Sequence, residues 1–440
     1  MKMRILRVAD NTRQKKSDFA EIGRIVDKVA DKTLEQLERE GVFVFPDMLM
    51  DTKDISREQI ILQSMNYSYC TGNVMGFLGC GDERLVIGSR FSKDEDGDHF
   101  FRYLLEKVID IPNIIDMRTD TDNDNRLYNY LLFLFPHYLK AAARKGLFKQ
   151  YIRRQYNDDS PKGTIELSRH IRQNTPFVGN VAYSQREFSY DNHLTELVRH
   201  TIEYIKTKPY GSQILSRAKE EARDVVGSTQ QYRQQDRAKI IGQNIKKPLH
   251  HAFFREYRAL QRLCILILKN EKYNIGSGSR QIYGVLFDGA WLWEEYVYSL
   301  IGKHFYHPMN RVGKDAQYLF YRRIGKIFPD FIGRDAEHRI IADAKYKPID
   351  NIYGKDYLQI LAYMFRFDAK TGYYLYPDSQ LAGDVRLMLN EGMECEDYHK
   401  DICVIKHGLL IPQDAESYDS FVSLIKDSEN RFRRVFLDRV

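Results

Sequence analysis

In residues 41–91 short apolar runs, VFVF, QIILQSM and LVIGSRF, are separated by turn signals such as Thr71-Gly72-Asn73 and Gly79-Cys80-Gly81-Asp82. This spacing predicts a small β-rich module. The period then lengthens. Residues 99–111 carry apolar positions at helical spacing, as do residues 126–154 beyond the acidic, turn-forming stretch 116–125. A first boundary is placed near residue 150. A loop at 157–163 and a polar segment lead into helical patterns at 192–206, 212–225, 230–245 and 250–268, which make the middle third mainly α. The loop 274–280, NIGSGSR, reads as a linker, and helix and strand patterns alternate beyond it. The expected architecture is therefore an α+β multidomain protein. It has a β-rich N-terminal domain with helices (1–150), a mainly helical middle region (151–275) and a C-terminal α/β domain (276–440).

A chain of 440 residues is consistent with this division, since domains average roughly 150 residues. With 43% hydrophobic and 29% charged residues, it falls outside the disordered and membrane classes. Its longest apolar stretches, at 131–135 and 264–268, are far shorter than the about 20 residues a bilayer span needs. The N-terminus carries no secretory pattern, so a cytoplasmic protein is expected. The five cysteines are scattered without a C-x-x-C pair, which argues against a disulfide framework or a structural zinc site. A net charge of +6 permits nucleic-acid binding without requiring it. The chain contains neither G-x-x-x-x-G-K-[ST] nor H-E-x-x-H, so no nucleotide-hydrolysis loop and no helical zinc pair is visible.

The chemistry concentrates in KIFPDFIGRDAEHRIIADAKYKPID, residues 326–350, which reads as two strands joined by the turn-rich segment 333–338. On the second strand Ile341, Asp343 and Lys345 share one face, while Ile340, Ala342 and Ala344 share the other. A hairpin centred near residues 335–336 brings Asp330, just after Pro329, beside Asp343. Two carboxylates with a backbone carbonyl, that of Ala344, suit an oxygen-seeking ion such as Mg²⁺. A neighbouring lysine, Lys345, can orient a water, help its deprotonation or offset the charge building on a scissile phosphate. Together these groups are equipped for phosphodiester hydrolysis.

The order Pro329-Asp330 … Asp343-Ala344-Lys345 resembles the PD-(D/E)xK nuclease superfamily. That resemblance implies an α-β-β-β-α-β core. It also implies a metal-facing acid on the preceding helix, best matched by Glu294 with Glu295 as the alternative, and a Q-x-x-x-Y helix, matched by Gln359 and Tyr363. The implied catalytic set is Asp330, Asp343, Lys345, Glu294 and Gln359, with Asp330, Asp343, Ala344 and Glu294 toward Mg²⁺.

Further upstream, Gly163-Thr164-Ile165-Glu166, the segment Arg169-His170-Ile171-Arg172-Gln173-Asn174 and Arg186-Glu187-Phe188-Ser189-Tyr190-Asp191-Asn192 resemble the McrC family. This implies a Mg²⁺-dependent, DNA-cleaving subunit of a modified-cytosine restriction system. Its implied partners are DNA and a McrB-like AAA+ GTPase hexamer, which the N-terminal domain would bind and whose GTP hydrolysis the chain would stimulate. Two such subunits would pair for double-strand cleavage. The alternatives are a stand-alone nuclease of the same superfamily, or a non-catalytic activator of a ring NTPase.

Overall fold

The computed structural model describes residues 4–40, 42–45, 58–92, 98–108, 123–208, 210–273, 282–308, 316–380 and 383–437. The linker expected at 274–280 and residues 116–122 of the acidic stretch lie outside these. The fold is mixed α/β and forms two compact units, residues 1–115 with 278–440, and residues 116–277. The boundary expected at 275 falls close to an observed one. The boundary expected near 150 lies inside the second unit, and the two ends of the chain belong to one unit.

That union has a physical cause in the strand Tyr283–Asp288. Its sequence YGVLFD is buried throughout, so it needs a neighbour on each edge and cover on each face. It finds them in a five-stranded sheet of order Arg4–Ala9, Glu83–Gly88, Val74–Cys80, Tyr283–Asp288, Val42–Phe45. The strand runs antiparallel to Val74–Cys80 and parallel to Val42–Phe45. Close approach is required at Gly76 (φ 143°), where a Cβ would sit 2.1 Å from the Val285 carbonyl oxygen. The helices Gly23–Val29 and Leu34–Glu40 bury Ile25, Val29, Leu34 and Leu37 in a core shared with Leu78, Leu85 and Ile87. The first forty residues thus supply an edge strand and the cover of this sheet.

The same unit holds a six-stranded mixed sheet of order Phe305–Tyr306, Phe331–Gly333, Ile340–Ala344, Thr371–Asp378, Asp397–Leu410, Val385–Glu391. The helix Lys355–Phe367 connects the parallel pair Ile340–Ala344 and Thr371–Asp378. Its apolar face, Ile360, Tyr363, Met364 and Phe367, packs on Ile341, Tyr374 and Val404. The helix Gly289–Ile301 follows directly from the strand Tyr283–Asp288. Asp288 caps it by accepting the Ala290 and Trp291 amide hydrogens at 2.9 and 3.1 Å.

The second unit is mainly helical, with Asn123–Ala143, His193–Lys206, Gly211–Ser216, Lys219–Ser228, Arg237–Lys246 and Glu256–Tyr273. Two expectations change here. The helical pattern drawn to residue 154 ends at Ala143, and Gln150–Asp158 is a strand paired antiparallel with Val181–Ser189. Its half-exposed face carries Arg154 and its exposed face Tyr151 and Arg153, so the period of two is masked by mixed polarity. The helix expected at 212–225 is interrupted between Ser216 and Lys219. Among the described residues, no helix is long and apolar enough to cross a membrane. Cys80, Cys264 and Cys403 are buried thiols, while Cys395 is exposed.

Candidate active site

The hairpin expected around residues 333–338 is present. Phe331 lies opposite Ala342 and Ile332 opposite Ile341. One step further along this register Asp330 faces Asp343. Asp330 Oδ2 accepts the Ala344 amide hydrogen at 2.8 Å, and Lys345 Nζ lies 2.6 Å from Asp343 Oδ2. Lys345 also donates to Gln359 Oε1 at 3.2 Å. Gln359 in turn donates to the Tyr363 hydroxyl at 2.9 Å, and that hydroxyl accepts the Phe328 amide hydrogen at 3.4 Å. The i, i+4 pair on the helix Lys355–Phe367 therefore links the lysine to the backbone just ahead of Pro329. Asp330, Asp343, Ala344, Lys345 and Gln359 are brought together.

Glu294, on the helix Gly289–Ile301, is the more distant member. Its charge acts on Asp330. Both it and the adjacent Glu295 reach His307, whose Nε2 is 3.6 Å from a carboxylate oxygen of each. His307 Nδ1–H donates to the Asp330 carbonyl oxygen at 2.8 Å, so the imidazole bridges the helix acids and the Asp330 backbone. Burial disfavours the imidazolium, but Glu295, Glu294 and the Asp330 carbonyl outweigh it and raise the His307 pKa.

Burial and like charge act together on the carboxylates of this centre. Burial, then the charges of Glu294 and Asp343, lift Asp330 well above the usual carboxylate range against the opposing pull of Lys345 and the Ala344 amide. Burial also works against the Lys345 ammonium, yet Asp343, Asp330 and Asp356 together hold it above the ordinary lysine range. The ammonium form of Lys345 is thus favoured. Among the described residues, no three His, Cys, Asp or Glu side chains form a ready metal cage. The donor set nonetheless fits a divalent cation, because carboxylates that repel one another across a desolvated strand end are relieved by one.

Sequence reasoning missed two residues of this centre. Asp356 lies 3.5 Å from Lys345 Nζ and 2.6 Å from Lys347 Nζ. It sits three residues before Gln359, so helical periodicity could have found it. His307 lies at the end of the short strand Phe305–Tyr306, and nothing in its local pattern marks it.

The fold and site together define a mixed α/β protein with a carboxylate–lysine centre at the end of an interior strand, Ile340–Ala344, of a mixed sheet. Over residues 70–377 the chain matches the family described as McrBC 5-methylcytosine restriction system component, and it belongs to that family. The resemblance to McrC is borne out, since all three of its motif segments fall within the match. No curated protein matches the chain. It is similar in structure to a chain of the refined half-complex from a tetradecameric assembly of Thermococcus gammatolerans McrB AAA+ hexamers with bound McrC. There the identity is 14%, the TM-score 0.52, and the coverage 99% of this chain and 100% of that one. A chain of the Thermococcus gammatolerans McrBC complex matches with 15% identity, a TM-score of 0.32, and coverage of 68% of this chain and 87% of that one.

Proposed function

We propose that this chain is the McrC-type nuclease subunit of a McrBC-like modified-cytosine restriction system, with a PD-(D/E)xK core. It cleaves DNA with Mg²⁺ and works with a McrB-like AAA+ GTPase hexamer whose GTP hydrolysis it stimulates. The observation that carries this reading is the convergence of Asp330, Asp343 and Lys345 at one strand end, with Gln359 holding the lysine. Asp330 and Asp343, with the Ala344 carbonyl and Glu294 behind, would hold Mg²⁺. When bound, the ion supplies charge neutralisation at the scissile phosphate and lowers the pKa of water.

The chain's own residues do the rest. Lys345, whose ammonium is favoured by Asp343, Asp330 and Asp356, positions or activates the attacking water. It also offsets charge on the phosphate as the P–O bond breaks. Gln359 fixes the ammonium's direction through its accepting oxygen. His307 holds the Asp330 backbone in place.

The test is plasmid cleavage in Mg²⁺ by the wild type and Asp343→Ala, on methylated and unmethylated DNA, with and without a McrB-like protein and GTP. Cleavage by the wild type alone that needs methylation, partner and GTP is the expected result. Partner-independent cleavage would move the protein to a stand-alone nuclease. Stimulated GTP hydrolysis with no cleavage under any condition would leave only an activator.

A further inference from the structure

Among the described residues, the strands Gln317–Phe320 and Ile324–Ile327 pair only with each other and form a ribbon outside both large sheets. A two-stranded ribbon is marginal alone, and this one is tethered at its root. Arg366 Nε, on the helix that carries Gln359, donates to the Tyr318 carbonyl at 2.7 Å. Only Phe328 and Pro329 separate the ribbon from Asp330, so its root lies within about 10 Å of that carboxylate by chain length alone.

The tip is built differently. Phe320, Tyr321 and Ile324 are 62%, 87% and 60% exposed, Arg322 and Arg323 are exposed beside them, and Lys326 is exposed nearer the root, opposite Tyr318. Residues 317–327 contain three cations and no acid. Among the described residues, no ion pair engages Arg322, Arg323 or Lys326. The turn itself holds Arg322 (φ 59°) and Arg323 (φ 60°) in the left-handed region, where glycine or asparagine costs least. The fold therefore tolerates strain to keep two guanidinium groups at the tip, a pattern that points to function.

We infer that this ribbon is a DNA-gripping element that docks on the duplex flanking the scissile phosphate. Arg322, Arg323 and Lys326 contact phosphates, and Tyr321 contacts sugar or base edges in the adjoining groove. The inference rests on the nuclease reading for its substrate and extends it to a surface outside the catalytic centre. Charge complementarity selects a polyanion, and a β-ribbon has the width to enter a DNA groove. Contacts of this kind hold position without reading sequence.

The discriminating variant is Arg322→Gly/Arg323→Gly, because glycine relieves the turn while deleting both charges. The full chain is titrated into a labelled duplex of about 30 base pairs in EDTA, so that binding is read without cleavage. The variant should fold with equal or higher thermal stability. Its DNA affinity should fall about tenfold at 0.1 M salt, and the slope of log K against log salt should shrink by about 2. Tyr321→Ser should weaken binding with the slope unchanged. Unaltered affinity and slope in the glycine variant would overturn the inference, as would unaltered DNA binding with loss of affinity for a McrB-like ring. A chain that binds duplex through these arginines but fails to cut it would keep the ribbon and sink the nuclease reading.

Discussion

The hydroxyl of Tyr346 lies 2.8 Å from that of Ser89, so the residue after the site's lysine is anchored beside the N-terminal sheet. Neighbouring residues of an extended chain point to opposite sides. Lys345 accordingly turns toward Asp343 while Tyr346 turns toward Ser89 and Met75. Arg90 completes the joint by donating to the Tyr346 carbonyl at 2.9 Å and pairing with Asp10 at 3.2 Å. Tyr346→Phe keeps the ring and deletes the hydroxyl. It should lower unfolding stability by about 1 kcal/mol, measured by denaturant titration, and slow DNA cleavage less than any change at Lys345.

Lys345→Ala leaves Asp343 buried beside Asp330 with its ammonium gone. Breaking a buried pair in this way costs about 3–5 kcal/mol, and cleavage should fall by at least about 100-fold. Asp343→Asn combined with Lys345→Met should recover most of the stability and none of the activity. If the double variant is no more stable than Lys345→Ala, the Asp343 charge is not the source of the cost.

Gln359 and Tyr363 act as one path to Lys345. Gln359→Ala and Tyr363→Phe should each slow cleavage. Because they share the chain from Lys345 to Phe328, the double variant should lose less than the product of the two effects. Independent, multiplicative losses in single-turnover rates would show that the hydrogen bonds do not operate in series.

Asp10 gives a pH prediction away from the catalytic centre. Burial raises its pKa from 3.8 to about 6 despite Arg90. A raised folded pKa means the protonated form is favoured by folding. Its stabilising contribution is therefore full below the unfolded value of 3.8 and is lost as pH rises through about 6. At about 1.4 kcal/mol per pKa unit the loss is on the order of 3 kcal/mol. Chemical denaturation from pH 4 to 8 should show the wild type weakening across that window, with the slope smaller in Asp10→Asn by the Asp10 contribution while Asp98 and Glu196, both raised to about 7, keep the remainder.

The centre was legible where local pattern and chemistry coincide. Alternation in IIADAK sets which residues share a face, and the turn-rich segment after Phe331–Gly333 sets the hairpin, so local pattern alone places Asp330, Asp343 and Lys345 together. The Gln359 and Tyr363 pair was readable because helical spacing is short-range. His307 was not, since its role depends on a strand-end approach to Asp330 across more than twenty residues of chain. The strand Gln150–Asp158 was hidden by charged residues on its inner face, where tertiary pairing with Val181–Ser189 overrides a weak local signal. Arg4–Ala9 was hidden for a similar reason, because its parallel partner lies some eighty residues away.

The strand Tyr283–Asp288 makes the half of the chain that holds the candidate site poorly portable. A graft beginning after residue 288 would carry the centre but drop the Asp288 cap of the Glu294 helix. A graft beginning at 278 would carry that strand with both edges bare, since its partners Val74–Cys80 and Val42–Phe45 lie far upstream in the chain. An apolar strand with open edges invites aggregation. Transplanting this chemistry into another protein therefore means moving the N-terminal sheet along with it.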